Sequence, residues 1–176
     1  MIRTRALLAF IATMLVSTGP CLGAAMSIDP PQSMATRILE LHNRERAAVG
    51  APPLVWDETL AQSAASYGPT LASLGHLQHS PRDTRPGQRE NLAMGTPGYY
   101  DYAAMTGFWI NEKRNFFPGQ FPNVSRTGNW EDVAHYTQMI WKGTTHVGCA
   151  LQHGGSMDYL ICRYSPPGNA DGRPVP

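Results

Sequence analysis

The sequence predicts an α+β fold, with helices first and a small, mainly antiparallel sheet after them. Two observations carry that reading. Apolar residues recur at helical spacing from Met34 to Leu74. Runs rich in aromatic and β-branched residues, separated by turn signals, fill the stretch from His135 to Tyr164. A length of 176 residues suits one domain with a sizeable core.

The first helix starts at Met34 with Ser33 as its N-cap, and Met34, Ile38, Leu41 and Ala48 share one face. Arg37, Glu40, Arg44 and Arg46 form the expected solvated side, and Gly50 with Pro52 and Pro53 ends the helix. Asp57 caps a second helix whose inner stripe is Leu60, Ala61, Ala64 and Tyr67. Gly68-Pro69 is expected to kink or interrupt it before Leu71 and Leu74. Gly75 to Gly98 reads as a loop, with Ser80-Pro81 and Pro86-Gly87 as turn signals. A third helix follows over Tyr99 to Asn115, and then a second long loop from Phe116 to Asn129.

His135 to Trp141 reads as a half-buried strand, with His135, Thr137, Met139 and Trp141 on one side and Tyr136, Gln138 and Ile140 on the other. Val147 to Gln152 and Tyr159 to Tyr164 are the next strands, joined by a turn at His153 to Ser156, and the tail from Pro166 is expected to fray.

Composition narrows the function. A formal charge of +1 gives no reason to expect nucleic acid or an anionic membrane surface as partner. Arg3 and Arg5, the apolar run Ala6 to Val16 and the small residues Gly23-Ala24-Ala25 form an export signal, too short in its apolar part to span a membrane. The expected organisation is a signal over 1–25, a linker over 26–33, the domain over 34–170 and a tail over 171–176. The protein is then extracellular, or periplasmic in a bacterium. Cys21 falls within the signal, and Pro20 before it argues against lipid attachment there. Cys149 and Cys162 remain, either as a disulfide or as free thiols, and export favours the disulfide. Such a bridge contributes ~3 kcal/mol in the chain-entropy model.

The sequence contains no HExxH, GxSxG, P-loop, GxGxxG or CxxC motif. What remains is the scattered set His79, Glu90, Glu112 and His135, residue types that suit a divalent metal with open positions or a general acid and base. Spacing alone does not bring them together. His42 reads as a packing or hydrogen-bonding residue, His76 and His153 as loop residues, and His146 as the start of a strand. Trp56, Trp109 and Trp141 read as core or boundary aromatics. Phe116, Phe117 and Phe121 either line an apolar cleft for a lipid or plug the gap under their loop, and the plug is favoured. Asn123-Val124-Ser125 fits a glycosylation acceptor, relevant in a eukaryotic host.

Several ordered motifs resemble the CAP superfamily of cysteine-rich secretory proteins, antigen 5 and plant pathogenesis-related class-1 proteins, also called SCP domains. They are Leu41-His42-Asn43 with Arg46, then Leu54-Val55-Trp56-Asp57 with Leu60-Ala61 and Ala64. His79-Ser80, Glu90-Asn91-Leu92-Ala93, and Trp109 with Glu112 follow in order. His135-Tyr136-Thr137-Gln138-Met139-Ile140-Trp141 is similar to the most specific signature, and Val147-Gly148-Cys149 and Cys162 to Asn169 complete the set. The resemblance spans Met34 to Asn169.

The resemblance implies a three-layer α-β-α sandwich. It also implies a solvent-open cleft in which His79, Glu90, Glu112 and His135 meet, with His79 and His135 holding a divalent ion such as Zn2+ and the glutamates bonded to the histidines. Two protein ligands imply a weak, pH-sensitive site. The sequence departs from many eukaryotic members in having material for one disulfide, and it carries no cysteine-rich C-terminal domain. The loop Phe116 to Asn129 does not match the sterol-contacting loops of relatives. The favoured expectation is a monomeric, non-catalytic binding or effector module for a lipid, sterol, glycan or protein. The alternatives are a metal-assisted or Glu-activated hydrolase, with no clear nucleophile, and a purely structural polar tetrad.

Overall fold

Ser33 opens the first helix in the expected way: its Oγ accepts from the backbone N–H of Thr36, and α1 runs over Met34–Ala48. The computed structural model describes residues 33–176. The export signal, Cys21 and all of the linker before Ser33 lie outside the described residues. The buried stripe of α1 is Ile38, Leu41, His42, Glu45 and Arg46, whereas Ala48 faces solvent. Arg46 is therefore not on the solvated face. Four carbonyl oxygens, those of Pro52, Met139, Trp141 and Thr144, accept from its guanidinium at 2.6 to 2.9 Å. A buried charge is tolerable when hydrogen bonds replace its hydration, and a sequence pattern cannot display partners that distant.

After the short strand β1 (Val55–Trp56), Asp57 caps α2 (Glu58–Leu74) through Leu60 N–H. α2 passes through Gly68-Pro69 without interruption. A side chain at position 68 would meet Gln152, so glycine there lets the helix lie close on the sheet. The predicted loop over residues 75–98 contains a strand, β2 (Arg89–Gly95), whose polar Glu90 and Asn91 hide the strand pattern. α3 (Tyr102–Asn111) is capped by Asp101 and continues as a 3-10 turn over Glu112–Asn115.

The segment His135 to Trp141 is a helix. α4 (Ala134–Ile140) buries five consecutive residues, Tyr136, Thr137, Gln138, Met139 and Ile140, and leaves Ala134 and His135 partly exposed. The aromatic and β-branched content that suggested a strand reflects this run of buried residues, and tertiary packing overrides the local preference. β4 (His146–Gly154) and β5 (Met157–Ser165) form the hairpin expected from the sequence. Cys149 and Cys162 are directly opposed on it and form a disulfide, Cα–Cα 4.1 Å.

The main sheet has the order β1-β4-β5-β2, antiparallel except for the β1–β4 pair. Side chains along β5 alternate between two cores, as a strand buried on both faces requires. Tyr159 and Ile161 meet Ala64 and Leu71 of α2. Leu160, Cys162 and Tyr164 meet Ile38, Met105, Trp109 and Met139 of α1, α3 and α4. The result is the three-layer α-β-α sandwich, with α2 alone on one face. Gly148 marks the tightest approach, because a Cβ there would collide with the backbone of Asp57 and Ala61.

A further cluster packs Phe116, Phe121, Val124, Val133, Tyr136, Ile140, Trp141 and Val175. Phe116 and Phe121 thus plug the loop, in line with the favoured reading. The tail does not fray: β6 (Pro174–Val175) pairs with β3 (Gly119–Gln120), and Val175 is buried.

A cleft built from two histidine–carboxylate pairs

Glu90 enters the site from β2 with its side chain fully buried. A lone carboxylate there would be costly, and four donors meet it instead. Oε1 accepts from His79 Nδ1 at 2.7 Å and from Ser80 N–H at 3.0 Å. Oε2 accepts from Ser80 Oγ at 3.0 Å and from Arg163 Nη2 at 2.9 Å. Burial pushes the Glu90 carboxyl up, but His79, Arg163 and the Ser80 N–H together hold it below the usual carboxylate range.

Glu112 stands where α3 gives way to its 3-10 turn. Its Oε1 accepts from His135 Nδ1 at 2.6 Å, and its Oε2 accepts the backbone N–H groups of His135 and Tyr136, each at 3.0 Å. These N–H groups belong to the first turn of α4, which has no intrahelical acceptors for them. Glu112 thus caps α4 from a distance and orients the ring on that turn. The indole of Trp109 stacks on the His135 ring, centroids 6.0 Å apart and planes 15° apart, and its Nε1 donates to Leu92 O.

His79, Glu90 and His135 line one cleft of about 760 Å³, and Glu112 lies behind His135. The two rings are the accessible members: side-chain exposure is 56% for His79 and 30% for His135, against 0% for Glu90 and 19% for Glu112. In each pair the carboxylate accepts a hydrogen bond from Nδ1–H, so Nε2 is the nitrogen with a free lone pair in the neutral ring. Among the described residues no group of three or more His, Cys, Asp or Glu is arranged to hold a metal ion. The groups that could hold a cation here are the two Nε2 atoms.

Several residues outside the two pairs fix this geometry, among them His42, in line with its expected packing and hydrogen-bonding role, and Asn91, for which no role was expected. Asn91 Nδ2 donates to His135 O and to the Tyr164 hydroxyl. That hydroxyl donates to His42 Nε2 at 2.9 Å, and His42 Nδ1 donates to Ile38 O at 2.8 Å. Burial first, and the charge of Arg46 second, bring the His42 imidazole down to about 4 despite the favourable bond to Ile38, so it stays neutral. The pattern Glu90-Asn91 within a known motif was the available signal for Asn91. Ser80 is not poised as a nucleophile, because its hydroxyl donates to Glu90 and accepts from Arg85 Nε at 2.9 Å. The other histidines lie apart from the cleft: His153 pairs with Asp158, and His146 with Thr145.

Comparison with known proteins agrees with the layered fold. The family model for the cysteine-rich secretory protein family (CAP) matches residues 39–164. Pathogenesis-related protein 1C of Nicotiana tabacum is 36% identical over 137 residues, covering 77% of this chain and 76% of the relative. Secreted protein RBT4 of Candida albicans is 35% identical over 141 residues, covering 78% of this chain and 36% of the relative. Among solved structures, the crystal structure of NaASP2 with Zn2+ superposes with a TM-score of 0.67 at 24% identity, covering 80% of this chain and 83% of that one. With its matched motifs, its three-layer fold and its paired histidines and glutamates, this chain belongs to the cysteine-rich secretory protein (CAP) family.

Proposed function

We propose that this protein is an exported binding module whose cleft takes a divalent cation on Nε2 of His79 and His135 and presents it, with the surrounding walls, to a ligand. The observation that carries this reading is the matched construction of the two pairs. Each imidazole is held at Nδ1 by a carboxylate, which fixes the tautomer and the ring orientation. Both rings line the same cleft. A purely structural network would have its imidazoles buried, whereas here each ring is more exposed than the carboxylate that holds it.

When bound, the cation supplies an electrophilic centre that a ligand oxygen or water completes. The chain's own residues hold and aim the two rings. Glu90 is kept ionised by Arg163 and Ser80, and Glu112 is locked to the start of α4. Both carboxylates are therefore engaged, and neither is free to serve as a general base. A binding role is favoured over hydrolysis for that reason.

The likeness to NaASP2, crystallised with Zn2+, and to a Candida protein described as secreted supports the cation and the location outside the cytoplasm. No helix of the described residues is long and apolar enough to cross a membrane. The test is calorimetric titration of Zn2+ into protein purified without a nickel column. His79→Ala and His135→Ala are each expected to weaken binding at least about tenfold at neutral pH. Unchanged affinity in both variants sinks the assignment.

A further inference from the structure

The walls of the cleft carry charge that neither histidine pair uses. Arg82, Arg85 and Arg89 all line it, and they come from one short segment, the 3-10 turn Arg82–Thr84 and the start of β2. Arg85 is buried and spends its donors on Ser80 and Gln88. Arg89 donates from Nε and Nη2 to the carbonyls of Gly168 and Asn169, which fixes its side chain and leaves Nη1 without a partner among the described residues. The exposed Arg82 guanidinium has no hydrogen-bond or ion-pair partner among the described residues. Two carboxylates line the cleft against these cations, Glu90 and Asp171. Glu90 is already matched by Arg163 behind it. Asp171 acts on Arg89 by charge alone, and Arg89 is made easier to deprotonate by burial and then by its neighbours Arg82 and Arg85. Like charges crowded together with donors to spare mark a place where an anion is missing.

A second part of the lining is aromatic. Trp130, 41% exposed, stands edge-on to Phe121 with centroids 5.4 Å apart, and both line the cleft. Phe121 is held in the buried cluster under its loop, so it is a fixed support for the indole. A rigid indole face bordering a wet, concave site suits the apolar face of a sugar ring.

We infer that the ligand of this cleft is an acidic carbohydrate, whose carboxylates meet Arg82 and Arg89 while a ring rests on Trp130. This names the ligand class for the cleft read above as a binding site, and it does not depend on the cation. Two features favour a carbohydrate over an anionic membrane. The formal charge of the whole chain is +1, so the attraction is local to a concavity and not spread over a face. The volume of about 760 Å³ is that of a pocket for a discrete ligand.

The experiment titrates α-1,4-linked tetragalacturonate, and maltotetraose as its neutral match, into the full protein in EDTA at low salt. The charged tetramer is expected to bind at least about tenfold more tightly than the neutral one, and raised salt should weaken it. Arg82→Glu, at an exposed and unpartnered position, is expected to weaken the charged tetramer at least about tenfold. Trp130→Ala is expected to weaken both tetramers. Equal affinity for the two, or no loss with Arg82→Glu, overturns the inference. So does capture by phosphatidylserine vesicles with no binding of the charged tetramer. Zn2+ titration of the same protein after the EDTA is dialysed away separates the claims: Zn2+ binding without carbohydrate binding overturns the ligand class alone, and binding of neither overturns the cleft reading as well.

Discussion

The Glu112 carboxylate accepts three hydrogen bonds from residues 135 and 136, from the His135 ring and from the two backbone N–H groups that open α4. One side chain therefore joins a cleft-lining ring to the stability of the helix that carries it.

Glu112→Ala is expected to act on both. Losing the cap and leaving first-turn N–H groups unpaired should cost about 2 kcal/mol in urea unfolding. Loss of the partner at Nδ1 should weaken Zn2+ binding about 10- to 100-fold in calorimetry. A stability loss with unchanged Zn2+ affinity would restrict Glu112 to capping.

Arg46 gives a second expectation. Its guanidinium ties the end of α1 to Met139 and Trp141 at the end of α4 and to the Thr144 turn. Arg46→Met leaves these buried carbonyls unpaired and should lower unfolding free energy by roughly 3 kcal/mol. Arg44→Met, two positions away on the exposed side, is expected to lie within about 0.5 kcal/mol of the parent.

How much of this was legible in the sequence depends on where each residue's partners lie. α1, α2, β4 and β5 carry their own signals, a cap and a period, and the sequence showed them. α4 did not, because its five consecutive buried residues leave no amphipathic pattern to identify a helix. β2 and β6 were invisible for related reasons: Glu90 and Asn91 are satisfied by remote donors and acceptors, and Val175 is buried against a loop some fifty residues earlier. Arg46 looked solvated because its four acceptors come from later turns. The histidines and glutamates were identified together only through the ordered family motifs, since no local spacing unites four residues drawn from a loop, a strand and two helices.

Acid should destabilise the fold in a defined window. His42 is held neutral in the folded state at about 4, against 6.5 in the unfolded chain. The unfolded state thus binds more protons between those values, and stability falls as pH drops from about 6.5 to 4, by up to about 3 kcal/mol. Glu90 is lowered, so its contribution is present above its unfolded value of 4.5 and is lost as pH falls through its folded value. Urea midpoints measured across this range should decline, and His42→Gln should flatten the upper part of the decline. A midpoint independent of pH between 6.5 and 4 contradicts the buried neutral imidazole.

Reduction of the Cys149–Cys162 bridge, which closes a short hairpin loop, is expected to cost about 2 to 3 kcal/mol, measured as a lower urea midpoint in reductant.

The central claim is that two carboxylates present Nε2 of two histidines to a cation. Its most direct test is a two-bond proton–nitrogen NMR spectrum of histidine-labelled protein above pH 7, before and after Zn2+. The account expects His79 and His135 to be protonated at Nδ1 in the metal-free protein, with only their Nε2 resonances moving on Zn2+ addition. Protonation at Nε2, or Zn2+ leaving both rings unchanged, would contradict it.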